Sequence, residues 1–193
     1  MKRTFKTAMA SLIVAASLLT APPAGHAQKP AEDVGITGIG EATDIKAEPT
    51  WIRFRPDVNY GPHLVLEFGT DIASICQIYG ADNLLWSLVY DHDKRFVGFT
   101  HSDNLTHTRR KWCPEIGKLT NLQPQYNPAW VRMHPVDNWA HETVQDNEDI
   151  VSHCWISFGG ESFDLVVARR TKTVGFIRSA YLANPGSLTR CTT

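Results

Sequence analysis

Apolar and polar residues alternate with a period of two along much of this chain, as they do in half-buried β-strands. Trp86, Leu88 and Tyr90 alternate with Ser87 and Val89, and Phe163, Leu165 and Val167 do the same around Asp164 and Val166. The polar run Asp91-His92-Asp93-Lys94 leads into Arg95-Phe96-Val97-Gly98-Phe99, which predicts a hairpin. A second hairpin is predicted where Val166-Val167 and Val174-Gly175-Phe176 flank the basic turn Arg169-Arg170-Thr171-Lys172. Leu64-Val65-Leu66 and the run Ile72 to Ile78 predict two further short strands, split by Gly69-Thr70-Asp71. The glycine in each Val-Gly-Phe run has no side chain, so it lets a neighbouring backbone approach or permits a bend. With frequent turns and no long amphipathic helix, the expected class is all-β, built as small barrels or sandwiches.

The pattern occurs twice. Trp51-Ile52-Arg53 with Pro56 returns as Trp130-Val131-Arg132 with Pro135, and Ile72, Ser74 and Cys76 return as Ile150, Ser152 and Cys154. Trp86, Leu88 and Val89 align with Phe163, Leu165 and Val166; Val97-Gly98-Phe99, Ser102 and Leu105 align with Val174-Gly175-Phe176, Ser179 and Leu182. The offset stays between 77 and 79 residues throughout, an order and spacing that chance does not keep.

The repeat bears on the four cysteines. Cys76 and Cys113 are 37 residues apart, as are Cys154 and Cys191. Four cysteines permit three pairings. The repeat favours Cys76–Cys113 and Cys154–Cys191, while bridges exchanged between units are the competing arrangement if the units pack face to face.

Residues 1–27 read as a secretory signal: Lys2, Arg3 and Lys6 precede an apolar stretch from Ala8 to Leu19 and small residues up to Ala27. That stretch is shorter than the roughly 20 residues a bilayer span needs. Export fits the cysteine count, because disulfides persist in oxidising compartments. The expected organisation is a signal peptide (1–27), a flexible leader (28–48), a first module (49–113), a linker (114–127) and a second module (128–193). Loss of the signal moves the net charge from −1 to −4, with 16 basic against 20 acidic residues. Scattered, mildly acidic charge gives no footprint for nucleic acid or anionic lipid, so neither is an expected partner.

Each unit resembles the bacterial SH3 domain, a small extracytoplasmic β-barrel. The resemblance rests on Arg-x-x-Pro near the start (Arg53 and Pro56, Arg132 and Pro135), an aromatic-containing middle strand, and a Gly-aromatic-x-x-Ser-x-x-Leu ending. That ending stands as Gly175-Phe176-Ile177-Arg178-Ser179-Ala180-Tyr181-Leu182 in the second copy. The first has Gly98-Phe99-Thr100-His101-Ser102-Asp103-Asn104-Leu105, with Asn104 where the family usually carries tyrosine. The resemblance covers residues 51–106 and 130–184. It implies two tandem SH3-like barrels, each with a shallow groove lined by aromatic residues from loops.

Catalytic motifs are scarce. No Gly-x-Ser-x-Gly elbow is present, and every cysteine has a repeat-equivalent partner suited to a disulfide rather than to a free thiolate. Asp91-His92-Asp93 comes nearest to a metal-ligand set, but polar residues belong in a hairpin turn, so no metal and no cofactor is expected. His63 and His141 occupy equivalent positions and read as structural loop histidines. Binding remains, and aromatic residues dominate contact energy at such surfaces. The candidates are Tyr60, Tyr90 and His92 in the first unit, and Trp139, Arg178 and Tyr181 in the second. Trp86 and Phe163 read as core; Trp112 and Trp155 sit beside cysteines and either shield a disulfide or contact a ligand.

The expected function is therefore that of a non-catalytic, periplasmic binding protein of the bacterial cell envelope, with peptidoglycan or its peptide stems as ligand. The alternative is a protein-interaction module: an accessory subunit of an envelope complex, or an inhibitor or immunity protein against a secreted toxin. Release outside the cell is compatible with both.

Overall fold

Every long strand of the alternating pattern forms, and each half of the chain spends six strands in the same order. The computed structural model describes residues 40–46, 49–61, 63–70, 72–108, 111–136, 141–184 and 189–191, all within one compact unit. The first half contains β1 (Glu41–Thr43), β2 (Thr50–Ile52), β3 (Leu64–Leu66), β4 (Ile72–Tyr79), β5 (Leu85–Asp91) and β6 (Phe96–His101). The second contains β7 (Lys118–Thr120), β8 (Ala129–Arg132), β9 (His141–Val144), β10 (Ile150–Phe158), β11 (Glu161–Ala168) and β12 (Thr173–Arg178). All strand pairings are antiparallel. No helix among the described residues is long and apolar enough to cross a membrane. The signal segment, and the leader up to residue 39, lie outside the described residues.

In each half a meander (β4-β5-β6, β10-β11-β12) carries a three-residue strand on its outer edge, β1 on β4 and β7 on β10. A short hairpin (β2-β3, β8-β9) leans its first strand on the end of the meander, through Arg53↔Phe99 in one half and Arg132↔Phe176 in the other. The last meander strand ends in a 3₁₀ turn, Ser102–Asn104 or Ser179–Tyr181. The following leucine then bridges back, Leu105 to Ile45 and Leu182 to Leu122.

The structured repeat is thus longer than the expected module boundaries. β1 lies in the stretch expected to be a flexible leader, and β7 in the stretch expected to be a linker. Each buries one residue, Thr43 and Thr120, against a meander whose own pattern supplies the apolar surface.

The two halves share their largest apolar core. Trp86, Leu88 and Tyr90 from β5 face Phe163, Leu165 and Val167 from β11, and all four cysteines lie in the same cluster. Both disulfides join cysteines within a half, Cys76–Cys113 and Cys154–Cys191. Two smaller clusters sit on the far faces, one around Ile52, Phe54 and Val89, the other around Val131, Ile150 and Val166. Both faces of the meanders are therefore buried. The polar alternate positions are satisfied inside the protein: Ser87 Oγ lies 2.8 Å from Ser102 Oγ, and Asp164 accepts from Ser152 at 2.7 Å and Ser179 at 2.6 Å.

The halves also exchange backbone hydrogen bonds. Val97 N–H donates to Met133 C=O at 2.9 Å, and Val174 N–H donates to Phe54 C=O at 3.0 Å. Beside these bonds, Gly98 and Gly175 leave room for the hairpin strand of their own half to cross the meander. A Cβ on Gly175 would sit 2.8 Å from Arg132 N and 2.9 Å from Arg132 O, and one on Gly98 would fall on Ile52 Cγ2. Gly175→Ala is expected to destabilise the protein by about 1–3 kcal/mol, the usual cost of forcing extra volume into a packed site. Thermal denaturation checks it; an unchanged Tm would show that the strand can move away freely.

Candidate ligand groove

A concavity lined by three aromatic rings lies on the second half. β8 alternates across the sheet, so Ala129 and Val131 point into the core while Trp130 stands 51% exposed. Trp130 stacks on His141, its diagonal neighbour on β9, with ring centres 4.2 Å apart. The Arg132 guanidinium lies 5.6 Å from the centre of the Trp130 ring. Opposite, Tyr126 from the 3₁₀ turn Pro124–Tyr126 stacks on Tyr181 at 4.2 Å with 20° between planes. Arg178, at the end of β12, pairs through Nε with Glu161 at 2.9 Å and places its guanidinium 6.0 Å from the Tyr181 ring centre. Trp130, Arg132, Tyr126, Tyr181 and Arg178, with Gln125 and Pro128, line a groove of about 520 Å³.

Ring faces of this kind accept flat or apolar groups, and guanidinium groups bind carboxylates with paired, directional hydrogen bonds. Arg132 and Arg178 bring two guanidinium groups to the groove, and Glu161 pairs with Arg178. Aromatic faces beside guanidinium groups are chemically complementary to a molecule with both an apolar body and a carboxylate.

Of the sequence candidates, Arg178 and Tyr181 meet in this groove, and Trp139 lies outside the described residues. Tyr90 and His92 come together elsewhere. Tyr90 is buried, packs edge-on against Phe176 at 6.0 Å and His92 at 4.8 Å, and burial raises the pKa of its phenol. Beside them Arg95, Trp155 and Arg190 complete a smaller cleft of about 220 Å³ at one seam between the halves. Tyr60 is engaged in packing: its hydroxyl donates to Glu142, Arg55 lies over its ring at 5.0 Å, and its carbonyl accepts from Arg53. Asp91 is buried in its turn, accepting from Lys94 N–H at 2.9 Å, and burial raises its carboxyl pKa. The equivalent histidines have separate roles, His63 packing edge-on against Phe54 and His141 supporting Trp130.

Trp130, Tyr126 and Arg132 are absent from the sequence candidates. The signal for Trp130 is present, since it alternates with Ala129 and Val131 and must face outward if they face in. Tyr126 falls in the expected linker and carries no such signal.

The first half keeps only part of this residue set. Trp51 and Arg53 remain, but His101 and Asn104 stand where the second half has Arg178 and Tyr181. The segment between Ile45 and Pro49 has three residues, against five between Leu122 and Pro128, so Tyr126 has no counterpart. No protein-family model, curated protein or solved structure matches this chain.

Proposed function

We propose that this chain is an exported, non-catalytic binding protein of the bacterial cell envelope, made of two diverged SH3-like modules fused through one core. The ligand is a peptide with a free carboxylate and apolar side chains, a description that peptidoglycan stem peptides satisfy. The observation that carries this reading is the groove that sets Trp130, Tyr126 and Tyr181 around Arg132 and Arg178. Two buried disulfides support an oxidising compartment such as the periplasm. Because the complete set of groove residues occurs in one half only, each chain engages one stem through it.

The test is co-sedimentation of the oxidised protein with purified peptidoglycan sacculi. Saturable pelleting is expected, and Trp130→Ala should weaken it by about tenfold or more, as removal of an exposed central aromatic contact typically does. Trp51→Ala, on the half without the groove, serves as the matched control. Wild-type protein that stays in the supernatant at micromolar concentration removes the wall as ligand and moves the search to a protein partner.

A further inference from the structure

We infer a second ligand site, independent of the groove, in the other seam between the halves, selective for a carboxylate with an aromatic or branched apolar body. Tyr79 ends β4 and is 52% exposed, although its ring lies 5.3 Å from that of Trp112 at an interplanar angle of 31°. Trp112 is held in place from two sides. Its neighbour Lys111 accepts from Gln77 N–H at 2.8 Å, and its other neighbour, Cys113, is bonded to Cys76. The second half supplies the cations from the turn between β11 and β12. Lys172 Nζ donates to Tyr79 C=O at 2.7 Å, and the Arg169 guanidinium donates to Pro114 C=O. Each bond uses one donor of a group that has three or five. The cleft so formed measures about 460 Å³, with Ile78, Tyr79, Trp112 and Pro114 as its apolar lining and Glu115, Arg169 and Lys172 as its charged lining.

The internal repeat shows that this aromatic wall is not required to close the seam. In the equivalent cleft Ser157 takes the place of Tyr79 and Arg190 that of Trp112. There the Arg190 guanidinium covers the Trp155 ring at 5.2 Å, and the cleft shrinks to about 220 Å³. The fold therefore closes one seam with a cation lying on a ring. In the other it leaves two rings open beside two cations. Apolar area next to unspent cationic donors is complementary to an apolar acid. A peptide C-terminus and a free small acid share that chemistry.

The experiment is an NMR titration of the oxidised, ¹⁵N-labelled full chain, following the indole N–H of Trp112 assigned with Trp112→Phe. The probes are N-acetylphenylalanine, the acid N-acetyl-Ala-Ala-Phe and the amide of that tripeptide. Both acids are expected to give saturable shifts, with the amide weaker by about fivefold or more, the effect of losing a charge-assisted contact. Tighter binding of the tripeptide acid identifies a peptide end, and equal binding identifies a small acid. Lys172→Gln should weaken the acids toward the amide, and Tyr79→Ala should weaken all three. Equal affinity for acid and amide, or unaltered acid binding in Lys172→Gln, overturns the proposal. So does loss of the Trp112 shift in Trp130→Ala, which would place the ligand in the groove instead.

Discussion

Replacing Cys154 and Cys191 together by alanine is expected to lower the unfolding free energy by about 4 kcal/mol. Their separation of 37 residues sets that figure, because cutting the bridge returns the loop-closure entropy of such a segment to the unfolded chain. The total stability of a domain is only about 5–15 kcal/mol, so the loss is a large share of it. The sulfurs are also packing atoms: Cys154 is fully buried and Cys191 nearly so, in the core that both halves share. Cavity formation therefore adds to the entropic loss. The shared core has a further consequence. Damage in the second half should be felt in the first, and the double variant should unfold in one transition, at lower urea than the oxidised wild type. Urea titration followed by far-ultraviolet circular dichroism and by tryptophan fluorescence measures both points. An unchanged midpoint would discard the entropic argument. Two separate transitions would show that the halves hold together less tightly than their common core implies.

The meander strands, the hairpin turns and the purpose of the two Val-Gly-Phe glycines are all legible in the sequence, because each depends on period-two alternation or on a missing side chain. The within-half disulfides follow from the repeat spacing. The common core is not legible. Ser87 and Asp164, set between Trp86 and Leu88 and between Phe163 and Leu165, mimic a solvated face, yet both are buried and bonded to serines from a 3₁₀ turn (Ser102, Ser179) or a neighbouring strand (Ser152). Three-residue strands such as β1 and β7 bury one threonine each and leave no periodic trace. In the groove, Arg178 and Tyr181 can be found because they belong to a recognisable strand ending. Trp130 is masked by its value as a marker of the repeat, and Tyr126 by its place in an irregular connection. Tyr60 and Tyr90 read as free to meet ligand. Only the contact between halves, which no local pattern records, shows what they pack against.

The same repeat identifies a position that should make the fold sensitive to acid. β10 carries a bulge between Ser152 and Cys154, and His153 is the extra residue; at the matching bulge in β4 the residue is Ile75. His153 is 3% exposed, and neither ring nitrogen has a hydrogen-bond partner among the described residues. Burial, and secondarily the positive charge of Arg169, lower its pKa to about 4 from an ordinary value of 6.5. The unfolded chain takes up a proton near pH 6.5 and the folded one does not until about pH 4. The stability this neutral imidazole allows is therefore complete above pH 6.5 and is lost progressively as pH falls, by roughly 3 kcal/mol near pH 4. His63 and His134 are shifted in the same direction by burial, so the wild-type slope contains all three. The informative quantity is the difference made by His153→Ile, which installs the residue used in the other half. Urea denaturation at pH 7.5, 6.0 and 5.0 should show the variant losing less stability on acidification than the wild type. It should also be at least as stable at pH 7.5, since an unsatisfied buried polar group is replaced by an apolar one. If both proteins weaken in parallel between pH 7.5 and 5.0, the proton that destabilises the fold binds elsewhere, and His153 is as well accommodated as its isoleucine counterpart.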